Sequence, residues 1–170
     1  EEEIDRRVRE AASFVGVDEE LFESSPLELS GGQKRRIAIA GVIAMRPEVL
    51  ILDEPTAGLD PAGCEQILEN ICDYREKTGA TVLIVSHNMD DVARLSERII
   101  VFDHGKIAMD GTPEEIFSQP ERLISMGLTV PHSTAVAMEL RRLGLELPGA
   151  VYTHEKLLSA VIRAGEVGKC

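Results

Sequence analysis

The sequence predicts an α/β fold with parallel strands flanked by helices, followed by a β-hairpin and a small C-terminal helical extension. Three observations carry this reading. Two short apolar runs, VLIL at residues 49–52 and TVLIV at 81–85, have the texture of strands buried on both faces of a parallel sheet. Between them lies a long helical pattern that opens on Asp60 and Pro61 and closes at Gly79, residue types suited to the N-cap, first-turn and C-terminal positions of a helix. Strand, helix and strand in that order make a βαβ unit.

The remaining elements follow in chain order. Residues 2–15 read as a surface helix, with Ile4, Val8, Ala11, Ala12 and Val15 at helical spacing and Gly16 placed to end it. A polar loop containing Pro26 comes next. Ser30 and Gln33 then form an S-x-x-Q capping box. The helical pattern behind it runs from Gly31 to about Ala44 and stops before Pro47. The basic run KRR at residues 34–36 reads either as a local basic spot or as a solvated face of that helix. Beyond the βαβ unit a short helix is expected over about residues 89–95. RIIVF and KIAMD flank DHG at residues 103–105, the pattern of a hairpin. Thr112, Pro113 and Glu115 open a further helix with a second capping box. After about Gly127 the pattern becomes two small helices joined by a Pro/Gly turn. The expected organisation is a main part over 1–126, helical to about residue 46 and strand-bearing from about 47, then a helical extension over 127–170.

Composition sets limits on function. The 170 residues fit one domain of ordinary size, and 44% apolar content is enough for a core that must be aliphatic, since aromatics are 4% and Trp is absent. A net charge of −12 argues against a general nucleic-acid or anionic-membrane surface. Cys64, Cys72 and Cys170 lack metal-site spacing and read as ordinary thiols of a reducing, cytosolic compartment. No apolar run approaches the roughly 20 residues a membrane helix needs. The chain opens on Glu1 inside a helical pattern, so its natural start is expected to lie upstream.

Three groups of residues carry chemistry. Asp53 and Glu54 follow VLIL directly, at the strand edge where open parallel sheets bind ligands. Adjacent acids there suit Mg²⁺-assisted phosphoryl transfer, one holding the ion and the other polarising water; they also suit a carboxylate-capped turn before Pro55. LSGGQ, from Leu29 through Ser30, Gly31 and Gly32 to Gln33, opens a helix. Its exposed N–H groups at the positive end of the helix dipole form an anion site, or the glycines serve capping and close packing alone. His87, in VSHN, follows the second strand. It either orients water near a γ-phosphate or is structural.

Taken in order, LSGGQ, an apolar strand ending in Asp-Glu-Pro, AGLD and an apolar strand ending in Ser-His resemble the ABC ATPase family over about residues 20–118. The resemblance implies a partial P-loop NTPase fold, with ATP and Mg²⁺ as cofactors. It implies that residues 29–33 are the signature motif, which binds the γ-phosphate of ATP held by the opposite subunit. Residues 49–53 would be Walker B, with Asp53 serving Mg²⁺, and Glu54 the catalytic glutamate. Residues 57–60, ending in Asp60, would be the D-loop that couples the two sites, and His87 the switch histidine. None of these positions departs from the family pattern. The wording of residues 29–63, together with GKIAMDGTPEEIF and LGLTVPHSTAVAMELRRLGLELPG, is similar to the ATPases of energy-coupling factor importers of the cobalt, nickel and vitamin class. That likeness implies a second ATPase subunit in a homo- or heterodimer, a transmembrane coupling protein, and a membrane protein that chooses the substrate. It also implies a peripheral position on the cytoplasmic face of the membrane, and a C-terminal extension associated with dimer contacts.

The phosphate-cradling G-x-x-x-x-G-K-[ST] is not found. Gly58 and Gly63 have its glycine spacing but lead into Cys64, and Gly144 and Gly149 lead into Ala150. The expectation is a chain matching the C-terminal part of an ABC ATPase, unable by itself to hydrolyse ATP or bind it tightly. Three other readings compete. One is the ATPase of a conventional ABC importer. Another is a DNA-repair or chromosome-maintenance ABC ATPase, disfavoured by the acidic charge and the lack of heptad runs. The last is a naturally short, non-enzymatic chain that offers only its signature face to a full-length partner.

Overall fold

The computed structural model describes residues 1–147 and 149–167, and divides into two compact units, Glu1–Val85 and Ser86–Cys170. Cys170 and the Pro148 of the predicted Pro/Gly turn lie outside the described residues.

In the first unit, α1 (Glu2–Phe14) and α2 (Gly31–Ile43) pack beside β1 (Val49–Asp53), α3 (Pro61–Thr78) and β2 (Thr81–Val85). β1 and β2 are parallel, in a register running from Val49 opposite Thr81 to Asp53 opposite Val85. The helix between them begins where the sequence predicts: Asp60 accepts a hydrogen bond from the Gly63 N–H at 2.7 Å, Pro61 occupies the first turn, and Gly79 ends the helix at φ 69°. The core is aliphatic, built on Ala11, Ala12, Val15, Ile39, Ile43, Leu50, Leu52, Ile67 and Ile71. Tyr74 is the buried aromatic within it, and its hydroxyl donates to the Pro47 carbonyl at 3.2 Å.

One expectation about burial is corrected. The strands are covered on one face, not two. Side chains alternate across a strand, so Leu50 and Leu52, with Val82 and Ile84, enter the core, while Val49 and Ile51 stand 53% and 66% exposed. Leu83 and Val85 share the open face. In α1 only Ala11 and Ala12 are buried, with Val15 just beyond the helix; Ile4 and Val8 are exposed, because the core receives only the C-terminal end of this helix. Its polar face is tied instead by ion pairs. Hydrogen bonds from Arg6 and Arg7 hold the Glu3 carboxyl at about 2.

The second unit starts with α4 (Met89–Leu95) and the antiparallel hairpin β3 (Ile99–Asp103) and β4 (Lys106–Gly111). His104 and Gly105 form its turn, both at positive φ, the geometry that matches the strand twist. Then come α5 (Pro113–Phe117), α6 (Pro120–Ser125), α7 (His132–Arg142) and α8 (His154–Val167). Thr112 and Glu115 make the second capping box as predicted. The helices after Gly127 pack into this unit. Leu128, Val130 and Tyr152 meet the core of Ile99, Val101, Ile116, Phe117 and Leu123. Lys156 donates to Glu114 at 2.5 Å, which draws that carboxyl below its ordinary value and raises the lysine. Among the described residues no helix is long and apolar enough to cross a membrane.

Candidate functional site

The signature stretch is a helix N-terminus stripped of side chains. Ser30 Oγ accepts from the Gln33 N–H at 3.2 Å, and Gln33 Oε1 accepts from the Ser30 N–H at 2.8 Å. The capping box thus occupies the Gln33 side-chain oxygen and the backbone N–H groups of Ser30 and Gln33. It leaves the first two turn positions to Gly31 and Gly32. Gly31 is exposed, and a Cβ on it would meet nothing within 4 Å. An anion can therefore approach the N–H groups where the helix dipole is most positive. Gly32 faces inward: a Cβ there would come within 3.2 Å of the Leu59 side chain. Leu29 is half-buried before the cap. Ser30→Ala removes the side-chain acceptor and is expected to cost about 0.5–2 kcal/mol, read from the urea unfolding midpoint.

The carboxylates sit on the turn that leaves β1. Asp53 ends the strand and is exposed; Glu54 is half-buried. Glu54 has φ 48°, a left-handed conformation for a residue with a Cβ, which costs about 1–2 kcal/mol. Hydrogen bonds on every side hold it there. The Glu54 N–H donates to the Val85 carbonyl at 2.8 Å, and the Glu54 carbonyl accepts from the Ala57 N–H at 3.1 Å. The flanking carbonyls of Asp53 and Pro55 both accept from Arg35, at 2.9 and 2.8 Å. The turn continues through Gly58, at φ 76°, and Leu59 to Asp60, whose side chain caps α3. Gly63 is required for that cap, since a Cβ there would stand 2.8 Å from Asp60 Oδ1.

Residues 29–33, 53, 54 and 60 thus share the first unit, linked through Arg35 and the contact between Gly32 and Leu59. His87 belongs to the second unit. It is exposed, between Ser86 and Asn88, where the Asn88 N–H donates to Ser86 Oγ at 3.0 Å and Asn88 caps α4. Among the described residues no group of three or more His, Cys, Asp or Glu side chains could hold a metal. The adjacent carboxylates of Asp53 and Glu54 are hard oxygen donors of the type that would suit Mg²⁺, an ion that binds through one or two carboxylates plus substrate phosphates.

The ABC transporter family model matches residues 1–57. The energy-coupling factor transporter ATP-binding protein EcfA2 of Caldanaerobacter subterraneus is 52% identical over 163 residues, 96% of this chain and 57% of that protein. The chain belongs to the ABC transporter family. EcfA2 of Symbiobacterium thermophilum is 46% identical, covering 98% of this chain and 58% of that protein. This ABC transporter chain therefore spans just over half the length of the curated relatives it matches. Its fold agrees with solved ABC ATPases. The cbiO1 structure from Clostridium perfringens, part of the ABC transporter complex cbiONQ, is 37% identical at a TM-score of 0.63, covering 81% of this chain and 54% of that one. The ATP-binding cassette MJ0796, a dimer bound to ADP and Pi after hydrolysis, is 30% identical at 0.59, covering 64% of this chain and 46% of that one.

The sequence singles out no role for Arg35, and it does not show the approach of Leu59, within the 57–60 stretch, to Gly32. The run at residues 34–36 is not a plain solvated face: Lys34 is exposed, but Arg35 grips the Glu54 turn and Arg36 donates to the Gly16 carbonyl at 3.3 Å. Three basic residues in a row, set 100° apart on a helix, span about 200°, so at least one reaches the border of an exposed face, where a long side chain can turn back to the backbone of a neighbouring segment.

Proposed function

We propose that this chain works within the ATP-binding subunit of an energy-coupling factor importer, in which MgATP hydrolysis drives uptake of a metal ion or vitamin. The observation that carries the reading is one unit that presents a bare, capped helix N-terminus and, held to that same helix, a carboxylate pair at the C-terminal edge of β1. The printed names of the relatives support the importer type.

In this reading Asp53 holds Mg²⁺, which when bound draws charge off the phosphates. Glu54 polarises the attacking water and takes its proton. The N–H groups of Gly31 and Gly32, with Leu29, Ser30 and Gln33 around them, receive the γ-phosphate of ATP carried by a second ATPase subunit. Asp60, at the end of the turn that starts at Glu54, links the two sites, and His87 orients the water or the γ-phosphate. A transmembrane coupling protein and a substrate-choosing membrane protein complete the importer, with this subunit peripheral on the cytoplasmic face.

The test is Mg²⁺-dependent ATP turnover by the full-length subunit beside the 170-residue chain. The full-length subunit hydrolyses ATP. The chain alone shows neither turnover nor micromolar ATP affinity, because it lacks a G-x-x-x-x-G-K-[ST] loop. A full-length subunit that binds but never turns over ATP, alone or in its membrane complex, overturns the proposal.

A further inference from the structure

We propose that Arg35 is a positioning residue for Glu54. The inference rests on the reading of Glu54 as the group that polarises water. Arg35 lies one turn into α2, immediately behind the bare N-terminus that receives the anion. Its guanidinium spans the kink at Glu54: Nη2 donates to the Asp53 carbonyl at 2.9 Å and Nε to the Pro55 carbonyl at 2.8 Å. These are the two carbonyls on either side of the one residue that must hold a left-handed φ of 48°. The fork of a guanidinium suits two acceptors at a fixed spacing, and an ammonium does not. Proline donates no N–H, and the Glu54 N–H is spent on Val85. Arg35 therefore supplies what the turn cannot supply for itself, and does so from a half-buried position.

The chemical consequence is specific. Asp53 and Glu54 leave an extended strand, where neighbouring side chains point to opposite faces. The positive φ redirects Glu54 from that alternation. Without the clamp the turn can relax towards negative φ and carry the carboxylate away from the water it must polarise. The clamp also ties the signature helix to the Glu54 turn through two hydrogen bonds.

The experiment uses the full-length subunit with Arg35→Ala, Arg35→Lys and Glu54→Gln, alone and combined, reading kcat, KM for ATP and thermal midpoint. Arg35→Ala lowers kcat by about 10²-fold, the cost of misplacing a reacting group by about 1 Å, with KM held within about twofold. Arg35→Lys, which reaches one carbonyl, falls between Arg35→Ala and the wild type, and carries the test if Arg35→Ala does not fold. In the Glu54→Gln background Arg35→Ala produces no further loss, because it acts through Glu54. The proposal is overturned if kcat stays near wild type in the arginine variants while Glu54→Gln is inactive. It is equally overturned if kcat, ATP affinity and thermal midpoint all fall together, or if the losses multiply in the double variant. Full activity of Glu54→Gln would instead remove the reading of Glu54 itself.

Discussion

Glu54→Gln in the full-length subunit is expected to lower ATP turnover by about 10²–10⁴-fold, the usual contribution of a positioned general base, while ATP binding stays intact. The amide keeps the shape and most hydrogen bonds of the carboxylate but accepts no proton. Its backbone is set by the Val85 carbonyl, the Ala57 N–H and the Arg35 fork, none of which involves the side-chain charge. The left-handed φ is as available to Gln as to Glu, so the substitution leaves the fold unchanged. Single-turnover ATP hydrolysis and equilibrium nucleotide binding, measured on one preparation, separate the two effects. Turnover within a factor of a few of wild type would assign Glu54 to the alternative the sequence left open, a carboxylate that merely caps a turn before Pro55.

The legible parts of this chain are those whose hydrogen bonds close within a few residues. Ser30 with Gln33, Thr112 with Glu115, Asp60 ahead of Pro61, and the turn at His104 and Gly105 all reappear in the structure at the predicted positions. Each is a contact between residues at most three apart, so residue type and spacing suffice to read it. The illegible parts need partners far along the chain. Arg35 reaches carbonyls 18 and 20 residues away, and no local pattern distinguishes it from its neighbours Lys34 and Arg36. Asp90 accepts from the N–H of His132, 42 residues on, and also meets its ring. It thereby satisfies the first N–H of α7, whose own N-cap is Pro131 and makes no side-chain cap. The sequence shows a helix starting after a proline; it does not show which side chain from another helix caps it. For the candidate site the outcome is similar. The acids, the glycines and the capping residues were legible, whereas the left-handed turn that aims Glu54 and the contact of Leu59 against Gly32 were not.

The open face of the sheet yields the second large effect, and it tests the burial that apolar texture alone misjudged. Leu50 is 1% exposed in the centre of the first unit's core, while its neighbour Ile51 is 66% exposed on the other face. In VLIL the two look equivalent, since a continuous apolar run carries no period to say which face is covered. Their energetics differ sharply. Leu50→Ala in the 170-residue chain leaves a cavity among aliphatic side chains that cannot all collapse into it, at a cost of about 2–5 kcal/mol. Ile51→Ala removes surface that is already in water and costs less than about 1 kcal/mol, through lost strand preference alone. Urea unfolding of the two variants, compared at constant m-value, reads the difference directly. Equal losses would mean that Ile51 is covered when this chain is folded in solution. The large-and-small pair fixes β1 as a strand with one buried face, and so fixes the direction from which Asp53 and Glu54 emerge: consecutive residues of a strand alternate, Leu52 enters the core, and Asp53 continues on the open side until the kink at Glu54 turns the chain.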